Sequence, residues 1–152
     1  MESTPSPDEL MRATDRAAAA PWTDYPPTPL WYPPVTGVWA GLLVAVIGQR
    51  GAHPAVALAG LLVLVALEYA FLVWYRRYRG AMPASVPPAE FRAPMARLLL
   101  GVAVIAGLAW LTDQLVGLGG AAVVVAVLVT VLIAWYETAY AAAAAATRER
   151  LS

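Results

Sequence analysis

Three acidic residues stand within or at the ends of long apolar stretches of this chain: Glu68, Asp113 and Glu137. A carboxylate in hydrocarbon costs several kcal/mol unless it is paired, protonated or hydrated, so each needs a partner, a proton or water. Glu68 is the most demanding. It precedes the basic cluster at Arg76 by eight residues, which places it about 12 Å inside that boundary on a helix. Glu137 lies between Trp135-Tyr136 and Tyr140, close to the end of its own apolar stretch. Asp113, beside Trp110, reads as a solvated helix end. The chemistry open to Glu68 and Glu137 is binding of a proton or a cation, and Arg97, early in the third run and on the same membrane side, is the base expected to pair with Glu68.

Other chemistries are excluded by composition. The chain has no cysteine, so disulfides and thiolate-held metals or clusters are ruled out, and its single histidine, His53, cannot build a structural zinc site. No metal, cofactor or catalytic constellation is expected, and the chain does not read as an enzyme. Ten acidic residues balance ten basic ones, all of them arginine, so no excess charge calls for a nucleic-acid partner. Only 13% of residues are charged and 61% are hydrophobic, with a mean hydropathy of +0.63. Ordinary soluble domains carry roughly twice that share of charge.

The elements that must position these carboxylates are four apolar runs, which we read as spans over about residues 35–49, 54–75, 94–114 and 119–141. About 20 apolar residues of helix cross a hydrocarbon layer of roughly 30 Å, and three of the runs reach or approach that length. The fold class is therefore all-α: a four-span transmembrane helical bundle over residues 35–146, preceded by a Pro-rich aromatic tail over 1–34 and followed by a short tail over 147–152. The tail holds a short helix candidate from Pro7 to about Ala20. Six prolines and four aromatics between Pro21 and Pro34 then predict an extended path along the headgroups, where amphipathic rings are favoured. Pro54 opens the second run after a breaker-rich turn, Trp74-Tyr75 ends it in an aromatic belt, and glycines at 117, 119 and 120 separate the third run from the fourth. The first apolar run begins too late for a cleaved leader and is expected to serve as its own insertion signal.

Orientation follows from arginine. Arg76, Arg77, Arg79, Arg92 and Arg97 flank the middle connection and Arg148 and Arg150 follow the last run, whereas the two opposite turns hold only Arg50. Arginine-rich flanks stay cytoplasmic, so both termini are expected at the cytoplasmic face, with Arg76, Arg77, Arg79 and Arg92 at the headgroups. The Arg-only, Ala-rich composition points to a bacterial inner membrane.

Packing is expected along small residues, because helices in lipid associate by close backbone approach rather than by expulsion of water. Ala122, Ala126, Thr130, Ala134 and Thr138 recur every four residues in the last run, and Glu137 lies within about 20° of that stripe. Ala59, Ala66 and Ala70 form a comparable stripe in the second run; Gly41 and Ala45 serve in the first, and Ala103 and Gly107 in the third. Glu68 is nearly opposite the second-run stripe. Either the large side of that helix packs inward and Glu68 meets Arg97, or both sides pack and Glu68 marks an interface with another subunit. The expected partners are the bilayer and a second copy or a larger membrane complex. The expected function is that of a structural or accessory membrane subunit; the alternative is a small oligomeric transporter or channel that uses Glu68 or Glu137 as its proton- or cation-binding carboxylate.

Overall fold

Five helices and no strand make up the described part of the chain. A computed structural model describes residues 6–24, 28–79 and 86–152. Tyr25, Pro26, Pro27 and Pro83 of the proline-rich connections lie outside that set, as does the side chain of Arg79.

The tail is more helical than its prolines suggest. Helix α1 runs from Pro7 to Thr23. It opens on a reciprocal cap in which the Ser6 hydroxyl accepts from the Glu9 amide at 3.3 Å and the Glu9 carboxylate accepts from the Ser6 amide at 2.7 Å. The helix continues through Pro21, which forfeits one hydrogen bond. Burial of Trp22 and Thr23 in the next turn offsets that loss. Helix α2 (Tyr32–Gly48) takes Pro33 and Pro34 into its first turn, where a missing amide hydrogen costs least.

Helices α3 (Pro54–Arg79), α4 (Ala89–Val116) and α5 (Leu118–Leu151) follow. Gly117 joins the last two at φ +92°, a conformation open to glycine and strained for other residues. The segment 147–152, expected as a tail, is almost wholly the end of α5.

Length separates the helices into two groups. At 1.5 Å per residue α3, α4 and α5 measure about 39, 42 and 51 Å, and all three are long and apolar enough to cross a membrane. The apolar α2 has 17 residues, about 26 Å, and is shorter than a standard crossing. Some 20 Å of α5 exceeds what a roughly 30 Å layer can cover, so one end of this helix must project from it.

The helices stand in an open row rather than a closed bundle. Helix α5 packs closely against both α2 and α4, while α3 packs only against α2. Among the described residues α3 makes no close backbone approach to α4 or α5. The tightest seam lies between α2 and α5. A Cβ added at Gly37 would stand 2.3 Å from the Ala126 carbonyl oxygen, and one at Gly41 would stand 2.7 Å from that of Ala122. Ala122, Ala126 and Thr130 thus form the expected stripe. Close approach stops one turn later, where α2 begins: Ala134 and Thr138 are exposed.

Helix α3 departs from the expected register. Ala59, Ala66 and Ala70 are exposed, whereas Ala57 and Leu64 are buried and Gly60 meets Val46 of α2. Apart from Glu68 both sides of this helix are apolar, and in lipid small size alone does not dictate which side is covered.

Candidate functional site

Two places gather polar or aromatic groups from distant parts of the chain. The first is a small core where α1 meets the projecting end of α5. Trp22, Phe91, Ala143 and Ala144 are buried together, with Met95 and Tyr140 packed against them. Phe91 lies tilted against Trp22 at 5.5 Å and edge-on against Tyr140 at 4.7 Å between ring centroids. The Arg148 guanidinium donates to the Thr23 carbonyl at 2.9 Å, satisfying the C-terminus of α1, where the helix dipole favours a cation. Tyr140 donates its hydroxyl to the Trp22 carbonyl at 3.3 Å. Beyond the apolar part of α4, Arg150 bonds Glu90 at 2.6 Å and holds its carboxyl below the usual glutamate range. These contacts bring the C-terminal end of α1, the start of α4 and the end of α5 together at one end of the row.

Glu137 belongs to the edge of this region. Its carboxylate accepts a hydrogen bond from the hydroxyl of Thr28, on the strand of chain that leads into α2. Glu137 therefore does turn towards the α2 side of α5, as its angular position implies, and its partner there is a hydroxyl from the tail.

The second place is an open groove of about 440 Å³ between α2 and α3, with Tyr32, Thr36, Trp39, Leu64, Glu68 and Phe71 among its lining residues. It arises because the two helices are joined at both ends and stand apart between. At one end the turn after Gly48 holds them, with the His53 amide donating to the Gln49 carbonyl at 2.7 Å. At the other, rings from both helices interleave: Trp31 meets Trp74 at 5.4 Å and Tyr32 lies 5.9 Å from Phe71 and 6.4 Å from Tyr75. The aromatic belt read from the sequence is thus also the clasp of this hairpin.

Glu68 faces the groove. It lies within about 40° of Ala57 and Leu64 around the helix, so the larger side of α3 turns inward, as one of the two expected arrangements has it. The expected base does not meet it. Arg97 is exposed on α4, which α3 does not approach, and among the described residues the ion pair formed is Glu90–Arg150. Opposite, on α2, Trp39 has its indole nitrogen buried with no hydrogen-bond partner among the described residues. Arg76, Arg77 and Arg92 are exposed at the end of the row that carries the termini, as headgroup contacts would be.

Sequence reasoning missed Gly37 and Trp39. The first was legible: Gly37 and Gly41 are four residues apart, the spacing that lets two helix backbones touch. The second carries a weaker signal, a tryptophan in mid-span whose N–H requires an acceptor that an apolar run cannot supply.

The fold and its apolar helices define a small all-helical membrane protein. No protein-family model matches the chain, and no curated protein or solved structure shows significant similarity to it.

Proposed function

We propose that the chain is a four-crossing inner-membrane protein that works as a structural or accessory subunit, and that α3 is the helix through which it binds a second copy or another membrane protein. The observation that carries this reading is that α3 has a single helix partner among the described residues. One side of the helix rests on α2, while Leu58, Leu62, Val63, Val65 and Tyr69 are exposed. The Ala59, Ala66 and Ala70 stripe lies opposite the α2 contact, where it offers a second helix the close approach that lipid cannot. In this reading α2 forms the fourth crossing, its short length met by local thinning of the bilayer or by its belt of rings. Both termini and Arg76, Arg77 and Arg92 lie at the cytoplasmic face, and Arg50 at the opposite one.

The absence of cysteine makes the test clean. Single substitutions Ala59→Cys, Ala66→Cys and Ala70→Cys should cross-link to a second copy, or to a co-purified membrane protein, when membranes are oxidised. Val123→Cys, exposed on α5, is the control and should not. A monodisperse monomer in mild detergent, with no cross-link at any of the three positions, would remove this reading.

The groove favours a second reading, in which the chain carries a proton or cation across the membrane on Glu68. Its support is a carboxylate deep in an apolar helix with no basic partner among the described residues. Reconstituted vesicles should then show a flux that Glu68→Gln abolishes.

A further inference from the structure

We propose that the groove between α2 and α3 is a binding site for a lipophilic organic cation: a quaternary or protonated amine on an aromatic or alkyl body. Three independent features of the groove select that class. The first is charge. Glu68 supplies the groove's only formal charge, and the nearest bases in sequence on its own helix, Arg76 and Arg77, lie at least two turns away and are exposed. A carboxylate so placed is relieved by a proton or by a cation that can itself enter hydrocarbon, whereas a hydrated metal ion would first have to shed its water.

The second feature is the walls. Tyr32, Trp39 and Phe71 are aromatic, and ring faces attract cations most strongly where water is excluded. Leu64 and Leu67 complete an apolar lining suited to the body of the ligand. The third is capacity, since about 440 Å³ falls within the range of small-molecule sites. The groove opens at the surface of the row, so a ligand dissolved in the bilayer reaches it sideways.

This inference rests on the carboxylate reading of the groove and deepens it, but it does not require transport. Equilibrium binding tests the site and vesicle flux tests the carrier, so either can fail alone. The full chain in phosphatidylcholine nanodiscs would be dialysed against radiolabelled benzyltrimethylammonium, with empty nanodiscs as the blank. Saturable binding is expected, weakened at least about tenfold by Glu68→Gln and unchanged by Asp113→Asn at the far end of α4. Leu64→Trp, which fills the groove and keeps the charge, should also abolish binding. The neutral isostere neopentylbenzene should compete poorly. Binding no greater than the blank, equal binding by Glu68→Gln, or equal competition by the neutral isostere would overturn the proposal, the last by showing a slot for lipid tails.

Discussion

Replacing Gly37 by alanine tests the seam on which the row depends. The added Cβ would lie 2.0 Å from Thr130 Oγ1, 2.3 Å from the Ala126 carbonyl oxygen and 3.0 Å from the Thr130 nitrogen. The hydroxyl is pinned, because it donates to the same Ala126 carbonyl at 2.7 Å, and rotating it away forfeits that bond. The other two atoms are backbone and move only with the helix. Raising a 2.3 Å approach to the 3.0–3.4 Å that a Cβ tolerates means that α2 and α5 part locally by about 0.7–1.1 Å. A gap of that size loses a quarter to a half of the dispersion attraction along the seam. Overpacking of this kind costs about 1–3 kcal/mol, and the better helix propensity of alanine returns up to about 1 kcal/mol, so a net loss of up to roughly 2 kcal/mol remains when that gain is realised in full. Gly41→Ala, with a nearest approach of 2.7 Å, should lose less. Gly107→Ala has nothing within 4 Å of the new Cβ and should gain up to about 1 kcal/mol. Unfolding by dodecyl sulfate in mixed micelles, followed by circular dichroism, gives the order. A Gly37→Ala midpoint at or above the parent's, with Gly107→Ala no higher, would refute the seam.

Two further outcomes concern the end of the row that carries the termini. Phe91→Ala removes the centre of the small core and should cost about 3–5 kcal/mol of α1 docking, seen as at least tenfold faster tryptic cleavage after Arg16; unchanged cleavage would mean that α1 is held elsewhere. Because Arg150 depresses the Glu90 pKa below 4.5, the pair stabilises the fold above that pH and its contribution fades as pH falls through the lower folded value. Thermal melts of the parent and Glu90→Gln should therefore differ at neutral pH and converge in acid, and a difference that persists far below pH 4.5 would contradict the assignment.

What the sequence makes legible here follows from what lipid does and does not select. Length and apolarity locate α3, α4 and α5 because the bilayer imposes both. The α5 stripe is legible because close approach requires small residues wherever the medium is oil, and Ala122, Ala126 and Thr130 meet glycines of α2. The orientation of α3 is not legible for the same reason reversed. Its Ala59, Ala66 and Ala70 side invites close approach by small size while its Ala57, Leu64 and Glu68 side carries a carboxylate that must leave hydrocarbon, so the two cues point opposite ways and only the partner decides between them. The docking of α1 escapes for a different cause. Trp22, Phe91 and Ala143–Ala144 lie far apart in the chain and form one core between α1, α4 and α5, and nothing local in any of the three segments announces the other two. Pro21, read as a stop, is overridden by that core.

The row also explains why the groove that holds Glu68 lies where it does. Helix α2 is clamped to α5 through glycines whose approach leaves no room for side chains, so α2, α5 and α4 form one tightly packed unit. Helix α3 is attached to that unit at a turn and at a cluster of rings, and both attachments are local. Stacked rings hold a separation without drawing two backbones together along their length, whereas glycines four residues apart do. A helix held only at its ends leaves a slot between them, and Glu68 falls in that slot, nearly midway between Pro54 and Arg79. The same weak attachment leaves the outer side of α3 free to meet another helix. A carboxylate that would be costly in a closed bundle is thus set in the groove beside the sparser of the two helix contacts that α2 makes among the described residues.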